Sequence, residues 1–150
     1  MPLLKILGLL TVFSISSILG FMKSSALSKR SQKLYGFSKG MSTLAERIRM
    51  GSGEINELLK ISFDSEQIGL GINGISVNED YLKTDDVSLI KEFFEELGMN
   101  NIDSEYERTA SYKTLIEIQR KSAEDDCNNL CRLYKTLGVL IGVFICIFLL

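Results

Sequence analysis

The chain reads as two greasy ends around a polar middle. Residues 6–22, "ILGLLTVFSISSILGFM", carry no charge, and neither do residues 137–150, "LGVLIGVFICIFLL". Seventeen uncharged residues, extended by Leu3 and Leu4, are enough to cross a bilayer. The closing run is shorter. Fourteen residues of helix rise about 21 Å against a hydrocarbon core of roughly 30 Å. Arg132, Tyr134 and Lys135 sit just before it, a ring and two long cations suited to the headgroup level. Counted from Leu133, with Lys135 reaching back to water, the segment spans with local thinning. It has no polar face, which argues against a core helix.

Between the ends the apolar spacing predicts helices. Leu27, Leu34, Phe37, Met41, Leu44 and Ile48 share one face of a helix over 27–50. Gly51-Ser52-Gly53 ends it, and Ile55, Leu58 and Leu59 mark a short helix over 54–62 that folds back as a hairpin. Val87, Ile90, Phe94 and Leu97, widened by Leu89 and Phe93, mark a helix over 85–98 with Asp85 and Asp86 at its N-terminus. Asn100-Asn101 turns the chain, and Asp103 and Ser104 are the expected caps of a last helix. That helix covers 103–136 and runs on into the terminal apolar segment. The stretch 69–78 is predicted to be a loop. The fold class is therefore all-α: a helical bundle over 23–136 with a long C-terminal helix, flanked by transmembrane helices over 1–22 and 137–150.

Small residues recur every four positions in both ends. Gly138, Gly142 and Cys146 share one face, and Ser16 and Gly20 share another. This spacing lets membrane helices approach closely, although glycine is also simply common in such helices.

Charge sharpens the organisation. Residues 23–49 hold seven bases, Lys23, Lys29, Arg30, Lys33, Lys39, Arg47 and Arg49, against the single acid Glu46. Residues 54–107 hold fourteen acids against three bases. The basic stretch leaves an apolar span, so anionic lipid is preferred over nucleic acid as its partner. Lys23, Lys29, Arg30 and Lys33, with Arg132, Tyr134 and Lys135, are the expected interfacial anchors. Basic flanks stay on the cytoplasmic side, which predicts both termini outside and the middle in the cytoplasm. The rival reading is a cleaved signal peptide ending near Ser24-Ser25-Ala26, which the basic cluster immediately downstream opposes.

Candidate chemistry is sparse. There is no histidine, which removes histidine-based acid–base and nucleophilic catalysis. Three cysteines, Cys127, Cys131 and Cys146, make no paired framework and read as small packing residues. "GLGING" at 69–74 matches a dinucleotide fingerprint by letters, but charged "SFDSEQI" precedes it and no βαβ context surrounds it. Glu95-Glu96, Asp85-Asp86 and Glu124-Asp125-Asp126 show no catalytic spacing. No catalytic, cofactor or metal site is expected.

The ends and the middle together resemble the stage III sporulation protein AB family. The resemblance rests on "LKILGLL" and "ILGF", with Leu4, Leu7, Gly8, Gly20 and Phe21, followed by "SKRSQKL". It continues in "LIKEFFEELG", with Phe94, Leu97 and Gly98. It closes in "CRLYKTLGVLIGVFICIFLL", with Tyr134, Lys135, Leu137, Gly138, Val139, Leu140 and Gly142. Asn100-Asn101 stands where that family usually has Ser-Asp. The resemblance implies a non-enzymatic component of the complex that joins mother cell to forespore, in the mother-cell membrane around the forespore. Its helical domain would resemble platform proteins of type II secretion and type IV pilus systems. The implied partners are other stage III sporulation proteins, above all a secretion-type ATPase, stage III sporulation protein AA; self-association is a further expectation. Glu92, Glu95 and Glu96 are the candidate docking residues for that ATPase.

Overall fold

A computed structural model of the chain describes residues 2–51, 53–71 and 74–149, and the side chains among them except those of 2–6 and 149. Met1, Ser52, Ile72, Asn73 and Leu150 lie outside the described residues. The middle of the predicted 51–53 turn and the centre of the "GLGING" stretch are thus outside the described residues. The described elements run α1 (Pro2–Met50), α2 (Ile55–Ser62), β1 (Ile68–Gly71), β2 (Gly74–Val77), α3 (Thr84–Glu95) and α4 (Ile102–Leu149). The all-α class holds, with one small hairpin added.

The residues separate into two compact units, 1–29 with 124–150, and 30–123. Both α1 and α4 contribute to each. No proline occurs after Pro2, and the glycines inside both helices leave them unbroken.

The unit over 30–123 is built on one core. Leu34, Phe37, Met41, Leu44 and Ile48 of α1 are buried, as their spacing requires. They meet Leu58, Leu59 and Phe63, then Ile90, Phe93 and Phe94 of α3, and Ile116 and Ala123 of α4. Phe63 links Phe37 and Phe94, with ring centroids 6.0 and 5.4 Å away. Gly40 makes room for this, because a Cβ there would lie 2.5 Å from the Phe63 ring.

Two expectations need correction here. The predicted loop over 69–78 contains an antiparallel hairpin, paired Ile68↔Val77, Gly69↔Ser76, Leu70↔Ile75 and Gly71↔Gly74. The physical reason is that glycines flank the reversal: Gly71 pairs with Gly74, and Gly74 takes a φ of 114° that favours glycine. The α4 cap is Asn101, not Asp103 or Ser104. The Asn101 side-chain oxygen accepts the Ser104 N–H at 3.0 Å, and its carbonyl accepts the Glu105 N–H at 2.9 Å.

Candidate functional site

In the unit of 1–29 and 124–150, the two apolar segments lie side by side. The contacts run in opposite senses along them. Ser24 O accepts from the Cys131 thiol at 3.2 Å, Ser16 Oγ donates to Gly138 O at 2.8 Å, and Leu9 O accepts from Cys146 Sγ at 3.5 Å. The segments are therefore antiparallel. Gly20 and Gly138 meet at the centre. A Cβ on Gly20 would lie 2.6 Å from Tyr134 O and 3.1 Å from Gly138 Cα; one on Gly138 would lie 3.0 Å from Ser16 O. Gly142 forms a hole for Phe13, whose ring would be 2.9 Å from an added Cβ. The residues singled out for close packing thus come together on one seam, with the N-terminal segment as the partner of the C-terminal one. With both backbones this near, the serine hydroxyl reaches across to a carbonyl, a contact worth about 0.6 kcal/mol on average in membrane helices.

Away from the seam, Leu7, Ile15, Ile18, Leu19, Leu140, Phe144, Ile147 and Phe148 point outward and are exposed. Exposed apolar side chains in such number mark contact with a partner protein or a membrane. Both helices are long and apolar enough to cross a membrane.

Of the expected anchors, Lys23, Lys29, Arg132 and Lys135 are exposed and Tyr134 is half-buried. Lys135 Nζ stands 5.9 Å from the centre of the Phe21 ring. Arg30 is different, and its reading as an anchor is corrected. Its side chain is 4% exposed and forks onto Asp86, which is fully buried, at 2.7 and 3.0 Å. Asp86 also accepts the Lys83 N–H at 3.0 Å, so one carboxylate closes the first turn of α3 and holds α1. Lys33 is also drawn to protein rather than to a surface. Its ammonium donates to Asn78 O, Asn78 Oδ1 and Asp80 O at 3.1, 2.7 and 2.9 Å. Burial lowers its pKa, against the pull of nearby Asp80.

Glu92 and Glu95 of α3 and Glu96, which caps its end, are all exposed, but they face different neighbours. Glu96 lies 3.6 Å from Arg108 Nη1. The Tyr112 phenol is pushed up by burial and by its hydrogen bond to Glu92. Glu95 instead lines a recess with Gly74, Ile75 and Val77 of β2 and Lys91 and Phe94 of α3. So two of the three acids lean on α4 and one turns toward the hairpin.

Arg108 organises that side of the bundle, and periodicity did not single it out. It pairs with Glu105 at 2.7 Å, donates to Phe93 O at 3.1 Å and lies 5.1 and 5.4 Å from the Phe93 and Tyr112 rings. The signal available was Glu105-x-x-Arg108-x-x-x-Tyr112, whose steps of three and four put all three on one helical face.

The cysteines carry no disulfide. Cys127 and Cys131 bring their sulfurs to 2.9 Å of each other. The hydrogen bond of the Cys127 thiol with Cys131, with burial behind it, raises the Cys127 pKa.

No curated protein and no solved structure matches the chain. A family comparison does match: residues 75–150 fit stage III sporulation protein AB. That stretch covers just over half of the 150 residues, from β2 through α3 to the seam glycines Gly138 and Gly142. The chain therefore belongs to the stage III sporulation protein AB family, a family of sporulation proteins.

Proposed function

We propose that this protein is a non-enzymatic membrane component of the complex that joins mother cell to forespore during sporulation. In this reading residues 1–22 and 137–150 span the mother-cell membrane and residues 23–136 lie in the cytoplasm. There the helical domain acts as a platform that couples a secretion-type ATPase, stage III sporulation protein AA, to membrane partners. The observation that carries the reading is the antiparallel seam through Gly20 and Gly138 in a chain of this family. An antiparallel pair of spans returns both termini to one side and leaves the connecting domain on the other. The exposed acids of α3 are the proposed contact for the ATPase, since a basic partner surface is attracted to them.

The test is co-purification from sporulating cells. The wild-type chain is expected to bring down the ATPase, and the triple reversal E92K/E95K/E96K to recover markedly less. Undiminished recovery with the triple variant removes the docking surface. Absence of the ATPase from the wild-type sample removes the coupling role.

A further inference from the structure

The backbone of β2 has one side paired and one side free. Asn78 donates to Gln67 O at 3.0 Å, so these two residues form a hydrogen-bonded pair. Bonded and non-bonded pairs alternate along an antiparallel ladder. With Ile68 opposite Val77 and Leu70 opposite Ile75, the bonded pairs fall at 69 with 76 and 71 with 74. Ile75 and Val77 therefore turn their N–H and C=O groups away from β1. Those groups have no hydrogen-bond partner among the described residues. The outer edge of β1 is less free, because Ile68 N–H already donates to Asp64 O at 3.2 Å. Nor is β2 guarded: Gly74-Ile75-Ser76-Val77 has no proline and no charge, the usual protections of an edge. A ribbon of two such short strands is marginal and gains from a third.

Beside this strand lies the recess that Glu95 lines, of about 530 Å³, between β2 and α3. Ile75, Val77 and Phe94 supply its apolar surface, and Lys91 and Glu95 its charges. A cavity of about 150 Å³ accepts benzene, so the recess has room for two side chains. The two charges differ. Lys91 is engaged by Glu79. Glu95 is exposed and has no ion pair or hydrogen bond among the described residues. Residues 54–107, which supply both β2 and α3, hold fourteen acids against three bases, so the segment they attract is basic.

We infer that β2 is a strand-addition edge, on which an extended basic segment of a partner protein pairs along Ile75 and Val77 and fills the recess beside α3. The partner residues opposite Ile75 and Val77 stand two apart, and their side chains share the face of those two. Ile75 and Val77 are themselves packed against the core on that face. An aliphatic side chain at one of the two positions covers Ile75, Val77 and Phe94, and a lysine or arginine at the other meets Glu95. Backbone pairing then supplies affinity and the alternate side chains supply specificity. The inference rests on the reading of the α3 acids as a docking surface and names how the partner engages it.

The test uses the full chain, 15N-labelled, in a nonionic detergent. The probe is acetyl-Thr-Lys-Thr-Val-Thr-Lys-Thr-amide, which places valine and lysine two apart in either chain direction. Its control carries N-methyl-valine, which keeps every side chain and removes one backbone donor. Hydrogen exchange at the Ile75 and Val77 amides is expected to slow about tenfold or more as the probe saturates. The control should bind about tenfold more weakly, through the lost backbone hydrogen bond. E95Q should weaken the probe about threefold, as loss of an exposed ion pair does. Equal binding of probe and control, equal binding by wild type and E95Q, or no binding overturns the inference. So does a bound probe that leaves both amides unprotected. Exchange that slows when the chain alone is concentrated also overturns it, because a second copy would then hold the edge. No ATPase is present in the titration. If the titration fails while E92K/E95K/E96K still loses the ATPase, the docking surface stands without strand pairing; the converse leaves the edge with a different basic partner.

Discussion

Arg30 sits in a run of seven bases, yet it is the one whose guanidinium is shown closed off from solvent by a carboxylate. The reason is geometry. Its helical position turns it toward the N-terminus of α3, where Asp86 offers both oxygens. Removing one partner of such a pair strands the other charge in a dry site. Asp86→Ala is therefore expected to cost about 3–5 kcal/mol, read from urea unfolding of the full chain in detergent. The double variant R30M/D86L should recover most of that loss, because an apolar pair of similar volume avoids the desolvation cost. A double variant no more stable than D86A would show that the site needs the ion pair itself. Glu117 gives a pH signature at the same scale. Its hydrogen bond from Arg120, helped by Ser38 and opposed by burial, holds its carboxyl below the ordinary 4.5. A carboxyl depressed by folding stabilises above its unfolded pKa and loses that contribution as pH falls through the folded value. Stability should thus decline on acidification below about pH 4.5. Glu117→Gln should make that decline shallower, as measured by thermal unfolding across pH 3–6.

At the scale of elements, the seam between the two apolar segments depends on absent side chains. Gly138→Leu places four carbons where Ser16 O and Gly20 Cα already stand at 3.0 and 3.1 Å from the first of them. Overpacking of this kind costs about 1–3 kcal/mol, and here the obstacle is backbone. Unfolding of the full chain in detergent should shift down accordingly, while Val139→Leu on the exposed side should leave it unchanged. Equal effects of the two would mean that the segments do not pack through Gly138. The helices themselves were legible from periodicity, because a helix buries one face and 3.6-residue spacing writes that face into the chain. The hairpin was less legible, because the glycines at 69, 71 and 74 fit a loop as well as a tight reversal. The Asn101 cap was less so, since Asp103 and Ser104 are cap formers as good as asparagine. Only the path of the backbone chooses among three such neighbours.

At the scale of the molecule, the membrane reading makes a sidedness prediction. With the middle in the cytoplasm, Cys127 should react with a membrane-impermeant maleimide in inverted vesicles and stay protected in intact spheroplasts. The C131S/C146S variant makes Cys127 the single thiol to be read. Labelling from outside intact cells would place residues 23–136 on the other face of the membrane and end the cytoplasmic platform role. The antiparallel sense of the two segments puts their basic flanks on one face, and the labelling decides which face that is.

Hydropathy and spacing along the chain were sufficient to assign two apolar ends, a helical middle, its core faces and the small-residue stripes. Each of these is a local property, carried by residues within a few turns of one another. The chain alone did not determine which stripe meets which, where Arg30 turns, or how Glu92, Glu95 and Glu96 divide. Those outcomes join positions far apart, such as 30 with 86 or 16 with 138. They are decided by which surfaces bury each other, and that choice exists only once the chain has folded.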